Sequence, residues 1–269
     1  MSTTLALAPS SAHRTHEIDT PLIPLAQVIE RLGSQPTITV PMLAGEVPDI
    51  DGIWRHLSEP AEFFGVPMLE REALDAALHR FAGVTAGRNR ALIAATVTVL
   101  EIDSRPDVVV TGNVVDPMVS TAVRIARCDP GPQVPCATDP LWLRMAARTT
   151  SRAAVDQIQR WLTDGGYADG VPAVGAPLLG ALVFDTAAGL VGIDNPEPTS
   201  ILDLLDRCGA TTGIRRVDVR PSDARRAWWI SPGFQTHPVA SIDDTVFDIN
   251  CRRRGGSDVA DRPPFLEMR

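Results

Sequence analysis

Between residues 91 and 128 the chain runs through three stretches dense in Val, Ile and Thr: 91–102, 107–115 and 120–128. Only Ser-Arg-Pro-Asp and Val-Asp-Pro interrupt them. β-branched side chains crowd a helix and suit a pleated strand, and Pro-Asp breaks of this length are turns. This segment is therefore predicted to fold back on itself as antiparallel strands. Just before it, Leu74, Ala77, Leu78 and Phe81 recur at the helical period within 70–82 and predict a helix with one apolar stripe. A strand at 37–43 and a short helix at 25–32 precede that helix. Helices followed by antiparallel strands on short turns define an α+β unit.

The segment 129–139 contains three prolines (Pro130, Pro132 and Pro135), and proline prevents regular pairing. A domain boundary is expected there. Residues 1–20, rich in Ser, Thr, Ala and Pro, are expected to be a flexible arm. Residues 21–130 form a small α+β domain, 140–250 a larger α/β domain and 251–269 a flexible tail. In the larger domain the pattern predicts strands at 141–147, 178–184, 189–193, 214–219 and 227–231. It also predicts helices at 151–163 and 201–208, the second capped by Ser200 and stopped by Gly209.

Hydrophobic residues make up 44% of the chain, enough for a sizeable core. The formal charge of −8 argues against a nucleic-acid partner or a polybasic membrane anchor. No apolar run reaches about 18 residues, so no membrane span is expected. The first 20 residues lack a secretory pattern, and a cytoplasmic location follows. Four cysteines and five histidines show no metal spacing, so no metal is expected. All 25 basic residues are arginines, and the chain has no lysine.

Three stretches carry a resemblance to a known family. The first is Trp54-Arg-His-Leu57 leading into Ala61-Glu-Phe-Phe-Gly65. The second is Arg148-Thr-Thr-Ser-Arg152, then a helix, then Gly166-Tyr-Ala-Asp-Gly170. The third joins Thr199-Ser-Ile-Leu-Asp-Leu-Leu205, Thr212-Gly-Ile-Arg-Arg-Val217, Ala224-Arg-Arg-Ala-Trp-Trp-Ile-Ser231 and Pro238-Val-Ala-Ser-Ile-Asp243. In order and spacing, residues 51–244 resemble the class IV aminotransferases, the fold-type IV pyridoxal phosphate (PLP) enzymes. These include branched-chain aminotransferase, D-amino-acid aminotransferase and aminodeoxychorismate lyase. The resemblance implies a two-domain α+β fold, a site facing the linker and a homodimer.

The departures concern the cofactor. The family's Schiff-base lysine falls near Thr149, Thr150 or Ser151, and a chain without lysine cannot form that link, because Arg does not deprotonate. The family's phosphate-binding arginine falls on Glu59. Its acidic partner for the pyridine nitrogen should lie between Gly170 and Val183, where no acid stands, and its small-Thr loop that helps hold phosphate reads Ser231-Pro-Gly-Phe-Gln-Thr-His237. From these departures no cofactor is expected, covalent or otherwise.

If the scaffold keeps a relined pocket, the resemblance and the residue chemistry nominate Arg148, Thr150 and His237 as catalytic. Thr149, Ser151, Thr199, Ser200, Ser231, Gly233 and Thr236 are nominated as ligand-binding. Arg148 suits a carboxylate, His237 suits acid–base work, and Ser151 and Ser200 mark helix N-termini that favour anions. Each has a plainer reading, as N-cap, ion pair or loop hydrogen bond. The expected function is an enzyme acting on a small carboxylate or amino-acid-derived metabolite without covalent PLP, by elimination, isomerisation or cyclisation. The alternatives are a non-catalytic metabolite- or partner-binding relative and a non-covalent PLP binder.

Overall fold

The computed structural model describes residues 4–6, 35–88, 91–102, 105–128, 138–151, 153–172, 175–196, 199–216, 221–249 and 263–266. The chain divides into two compact units. Unit 1 takes 1–114 and 137–152, and unit 2 takes 115–136 and 153–269. The expected helix at 25–32 lies outside the described residues.

Unit 1 contains β1 (Thr4–Ala6), β2 (Thr37–Leu43), α1 (Ile50–Phe64), α2 (Arg71–Thr85), β3 (Leu92–Ile102), β4 (Arg105–Val114) and α3 (Leu141–Ala146). Its sheet has the order β1-β4-β3-β2, antiparallel throughout. Asp49 caps α1 by accepting the Gly52 N–H at 3.0 Å. Gly65, at φ +67°, ends α1 in the left-handed conformation that glycine adopts without strain. The predicted stripe of α2 is buried: Leu74, Leu78 and Phe81 have no exposed surface. Gly112 on β4 leaves room for the Phe81 ring, since a Cβ there would stand 2.6 Å from it.

Unit 2 contains β5 (Val123–Arg127), α4 (Ala153–Asp164), β6 (Asp169–Val171), β7 (Ala181–Thr186), β8 (Gly189–Asp194), α5 (Ile201–Arg207), β9 (Arg215–Arg216), β10 (Ala224–Ile230), β11 (Thr236–Ile242) and β12 (Thr245–Val246). Its sheet runs β6-β5-β11-β10-β7-β8-β9, with β12 on β11. The pairs β5–β6, β5–β11 and β8–β9 are parallel and the others antiparallel. One face buries Ile125, Leu182, Phe184, Trp229, Val239 and Ile242 together. On the other face α5 packs close to β8, and a Cβ on Gly192 would meet Leu202.

Several expectations change. The strand expected at 141–147 is instead a helix, Leu141–Ala146, and Met145 is the residue of this helix that is buried. Strand β5 belongs to unit 2, because its partners β6 and β11 lie there. Residues 4–6 are not a loose arm: they pair with β4 from Thr111 to Asn113, satisfying that strand's outer edge. The tail is not free at 263–266 either. Phe265 is fully buried, edge-on to Trp228 with centroids 5.5 Å apart, and its carbonyl accepts the Thr212 N–H at 3.0 Å.

Candidate functional site

In unit 1, Arg148 follows α3. Its carbonyl accepts the Thr37 N–H at 2.9 Å, and its own N–H donates to the Met145 carbonyl at 3.0 Å. Its guanidinium pairs with Glu59 on α1, within the same chain and not between strands. The exposures are unequal: 12% for the Arg148 side chain and 47% for Glu59. One helical turn before Glu59, His56 is buried. Burial, helped by the neighbouring Arg148 charge, holds its imidazole down at about 3, against a raising backbone bond with Thr37. His56 is therefore neutral at physiological pH.

The three residues at the family's lysine position serve the backbone. Thr149 is fully buried. Its Oγ1 donates to the Ala146 carbonyl at 2.8 Å and accepts the Ser151 N–H at 3.2 Å. Thr150 forms a two-bond clasp with Gln35: its N–H donates to the Gln35 carbonyl at 2.8 Å, and its Oγ1 accepts the Gln35 N–H at 3.1 Å. Ser151 opens no helix, because α4 starts at Ala153 and the Ser151 N–H is already bonded.

In unit 2 the register lines up Ile230, Ala181 and Asp194 at one end of the sheet. Two predicted segments start there: the loop from Ser231 to Thr236, and the turn into α5. In the turn, Ser200 is a structural cap. Its Oγ donates to Asp194 Oδ2 at 2.8 Å and accepts the Asp203 N–H at 3.0 Å. Asp194 Oδ2 also accepts the Leu202 N–H at 2.9 Å. The chain's own carboxylate thus occupies the start of α5, and Thr199 precedes a filled cap. The anion expected there is Asp194.

The loop differs. Phe234 is 2% exposed and left-handed at φ 65°, an uncommon conformation for an aromatic residue, and it plugs the loop into the core. Ser231 N–H donates to the Gln235 carbonyl at 2.9 Å, and Ser231 Oγ accepts the Gln235 N–H at 3.1 Å. That leaves the Ser231 hydroxyl proton to donate elsewhere. A Cβ on Gly233 would meet nothing nearer than Ser231 Oγ at 3.8 Å, so the backbone there is open to approach. Thr236 is 1% exposed, and among the described residues its Oγ1 has no hydrogen-bond partner. A buried hydroxyl left unbonded is unfavourable, and a ligand oxygen would satisfy it.

His237 is not brought to the same place. It pairs with Trp229 in the hairpin, ring centroids 5.5 Å apart, whereas Thr236 pairs with Ile230. Neighbouring strand residues point to opposite faces, so Thr236 lies on the α5 side and His237 on the other. The His237 Nδ1 stands 3.3 Å from the Thr121 carbonyl. A carbonyl only accepts, so Nδ1 carries the proton and Nε2 is the basic nitrogen. Burial lowers its pKa, partly offset by that bond.

Sequence reasoning missed Asp169. It stands just before the window searched for an acid and is fully buried. Its carboxylate accepts from Gly170 N–H at 2.7 Å, Gly180 N–H at 2.7 Å, Leu179 N–H at 3.0 Å and Trp229 Nε1–H at 2.8 Å. Burial pushes its pKa up, and these donors pull it back. The available signal is Gly166-Tyr-Ala-Asp-Gly170 before a Pro- and Gly-rich segment. Among the described residues no group of three or more metal-ligating side chains occurs.

No family model matches the sequence, and no curated protein matches it. Solved structures do match in fold. A hypothetical aminotransferase from Mycobacterium tuberculosis in its PLP-bound form aligns at TM-score 0.62 and 16% identity, over 92% of this chain and 93% of that one. Its alpha-ketoglutarate and PMP bound form aligns at 0.57 and 15%, over 86% and 89%. A fold IV-transaminase from Curtobacterium pusillum aligns at 0.59 and 16%, over 91% and 92%. An aminotransferase from Brucella abortus bound to PLP aligns at 0.54 and 14%, over 86% and 89%. The chain therefore has the class IV aminotransferase-like, fold-type IV fold expected from the resemblance.

The expectation of no cofactor is corrected by the same structures. The solved structures that share this fold include PLP-bound and PMP-bound forms. The loop Ser231-Pro-Gly-Phe-Gln-Thr-His237 departs in sequence from the small-residue and Thr loop that the resemblance implies for a phosphate. That loop fits an anionic oxygen group, through a buried hydroxyl without a partner, a second hydroxyl proton and an open glycine.

Proposed function

We propose that this chain is a fold-type IV aminotransferase-like protein that holds PLP without a covalent lysine bond and takes a small, carboxylate-bearing, amino-acid-derived metabolite. The observation that carries the reading is the buried Thr236 hydroxyl without a partner, at the sheet end where the Ser231–Thr236 loop is open. Thr236, Ser231 and the Gly233 backbone are the residues proposed to hold the phosphate. PLP supplies, when bound, an electrophilic carbonyl and an electron sink for chemistry on amines. With no lysine in the chain, the amine comes from the ligand itself. Phe234, buried in the core of unit 2, keeps the loop in place.

Titration with PLP, followed by visible absorbance and by borohydride reduction with mass analysis, tests this. Saturable absorbance without a reduced protein adduct supports it, and no saturable binding overturns it.

A non-catalytic, metabolite-binding role is a second reading, favoured by one observation: His237 and Thr236 occupy opposite faces of the sheet. Turnover of an amino-acid-derived substrate by the isolated protein would exclude it, and co-purification with an active relative would favour it. The homodimer implied by the resemblance is tested by light scattering. Among the described residues no helix is long and apolar enough to cross a membrane.

A further inference from the structure

We propose that Glu59 is a built-in counter-carboxylate, which the carboxylate of an incoming ligand displaces from Arg148. This deepens the reading above by naming how the ligand's acid group is received, and it rests on that reading only for the ligand's class.

The two partners of this ion pair are not equivalent. Arg148 is fixed: its side chain is 12% exposed, and its backbone is tied to Thr37 on one side and Met145 on the other. Glu59 reaches it from α1 with nearly half of its side chain in water. Folding has already stripped most water from the guanidinium, so an anion that replaces Glu59 bears little of that cost. Glu59, once released, regains solvent. An exposed carboxylate contributes little to stability in such a pair, whereas a buried cation needs an anion of some kind. The pair therefore exchanges its carboxylate more readily than it dissolves.

The surroundings select the anion. His56, one turn away on the same side of α1, is neutral and adds no charge to that of Arg148. The Thr149 hydroxyl donates to Ala146 and accepts from Ser151, and the Thr150 hydroxyl accepts from Gln35. One guanidinium with a planar fork of donors matches one carboxylate, bidentately and with balanced charge. A dianion would leave a negative charge uncompensated beside the released Glu59.

The probes are pyruvate and its neutral amide, titrated calorimetrically at low salt into the full chain and into Glu59→Gln, Arg148→Gln and Arg148→Lys. Glu59→Gln is expected to bind pyruvate about fivefold tighter than the unmodified chain, the gain from removing a half-exposed competitor. Arg148→Gln is expected to lose pyruvate binding. Arg148→Lys, which keeps the charge without the fork, retains weaker binding and serves if Arg148→Gln fails to fold. The amide should behave alike in all four. Pyruvate binding that is unchanged or weaker in Glu59→Gln, or unaffected by loss of the Arg148 fork, would overturn the proposal. So would absence of saturable pyruvate binding in every variant. PLP absorbance measured on the same samples separates the two ideas: failure to bind PLP with the Glu59→Gln gain intact removes the cofactor reading and leaves this one standing.

Discussion

Asp169 in unit 2 and Glu59 in unit 1 are both carboxylates with described hydrogen-bond partners, yet they are held in opposite ways. Asp169 has no exposed surface and accepts four hydrogen bonds, three from backbone amides and one from an indole. Glu59 is 47% exposed, and its described partner is a single guanidinium. The first arrangement is a structural lock, because every donor would be stranded if the carboxylate left. The second is an occupancy, because water or another anion can take over either role. Burial on the two sides of a contact, rather than the contact itself, separates a charge that builds the fold from one that can be exchanged.

The comparison breaks first at Asp169. Asp169→Asn turns one oxygen into a donor facing the Trp229 and Gly180 donors, and it is expected to cost roughly 3 kcal/mol or more. Chemical denaturation measures this, and a loss below about 1 kcal/mol would mean that the lock is not one. The acid response comes next. His56 is held at about 3 in the folded chain, below its ordinary value near 6.5. The unfolded chain then binds more protons between those values. Stability is full above about 6.5 and falls as pH drops toward about 3, by roughly 3 to 5 kcal/mol. In His56→Gln this acid-dependent loss should shrink.

Smaller effects sharpen the contrast. Ser200→Ala removes the α5 cap and one bond to Asp194, and should cost about 1 kcal/mol by thermal melting. Thr236→Val exchanges an unbonded buried hydroxyl for a methyl group. It should leave the melting temperature equal or higher while weakening PLP binding about tenfold. A loss of both together would mark Thr236 as structural. Glu59→Gln, which lets solution anions take the carboxylate's place at Arg148, should change stability by less than about 1 kcal/mol at ordinary salt.

Much of the fold was legible in the sequence because periodicity survives in single segments. The Val, Ile and Thr runs became β3, β4 and β5, the Leu74–Phe81 stripe became the buried side of α2, and Gly209 ends α5. The strand expected at 141–147 is a helix because so short a run, apolar except for Arg144, fits helix and strand alike. Packing of α3 beside α1 settles it.

The site was less legible. Arg148 pairing with Glu59 joins residues 89 positions apart, and no local pattern announces that. Thr236 and His237 were treated as one loop. Once β11 begins at Thr236, strand alternation sends them to opposite faces, which only the register with β10 reveals. Asp169 was passed over because its four donors come from segments that the sequence reads as turn and strand.

The central claim is that this lysine-free chain holds PLP non-covalently at the Thr236 loop. The most direct test is a PLP titration of the unmodified chain beside Thr236→Val, read by visible absorbance and followed by borohydride reduction and mass measurement. Saturable binding to the unmodified chain, about tenfold weaker in Thr236→Val, with no reduced adduct in either, is the predicted result. No saturable binding, or an adduct fixed to the protein by borohydride, would contradict it.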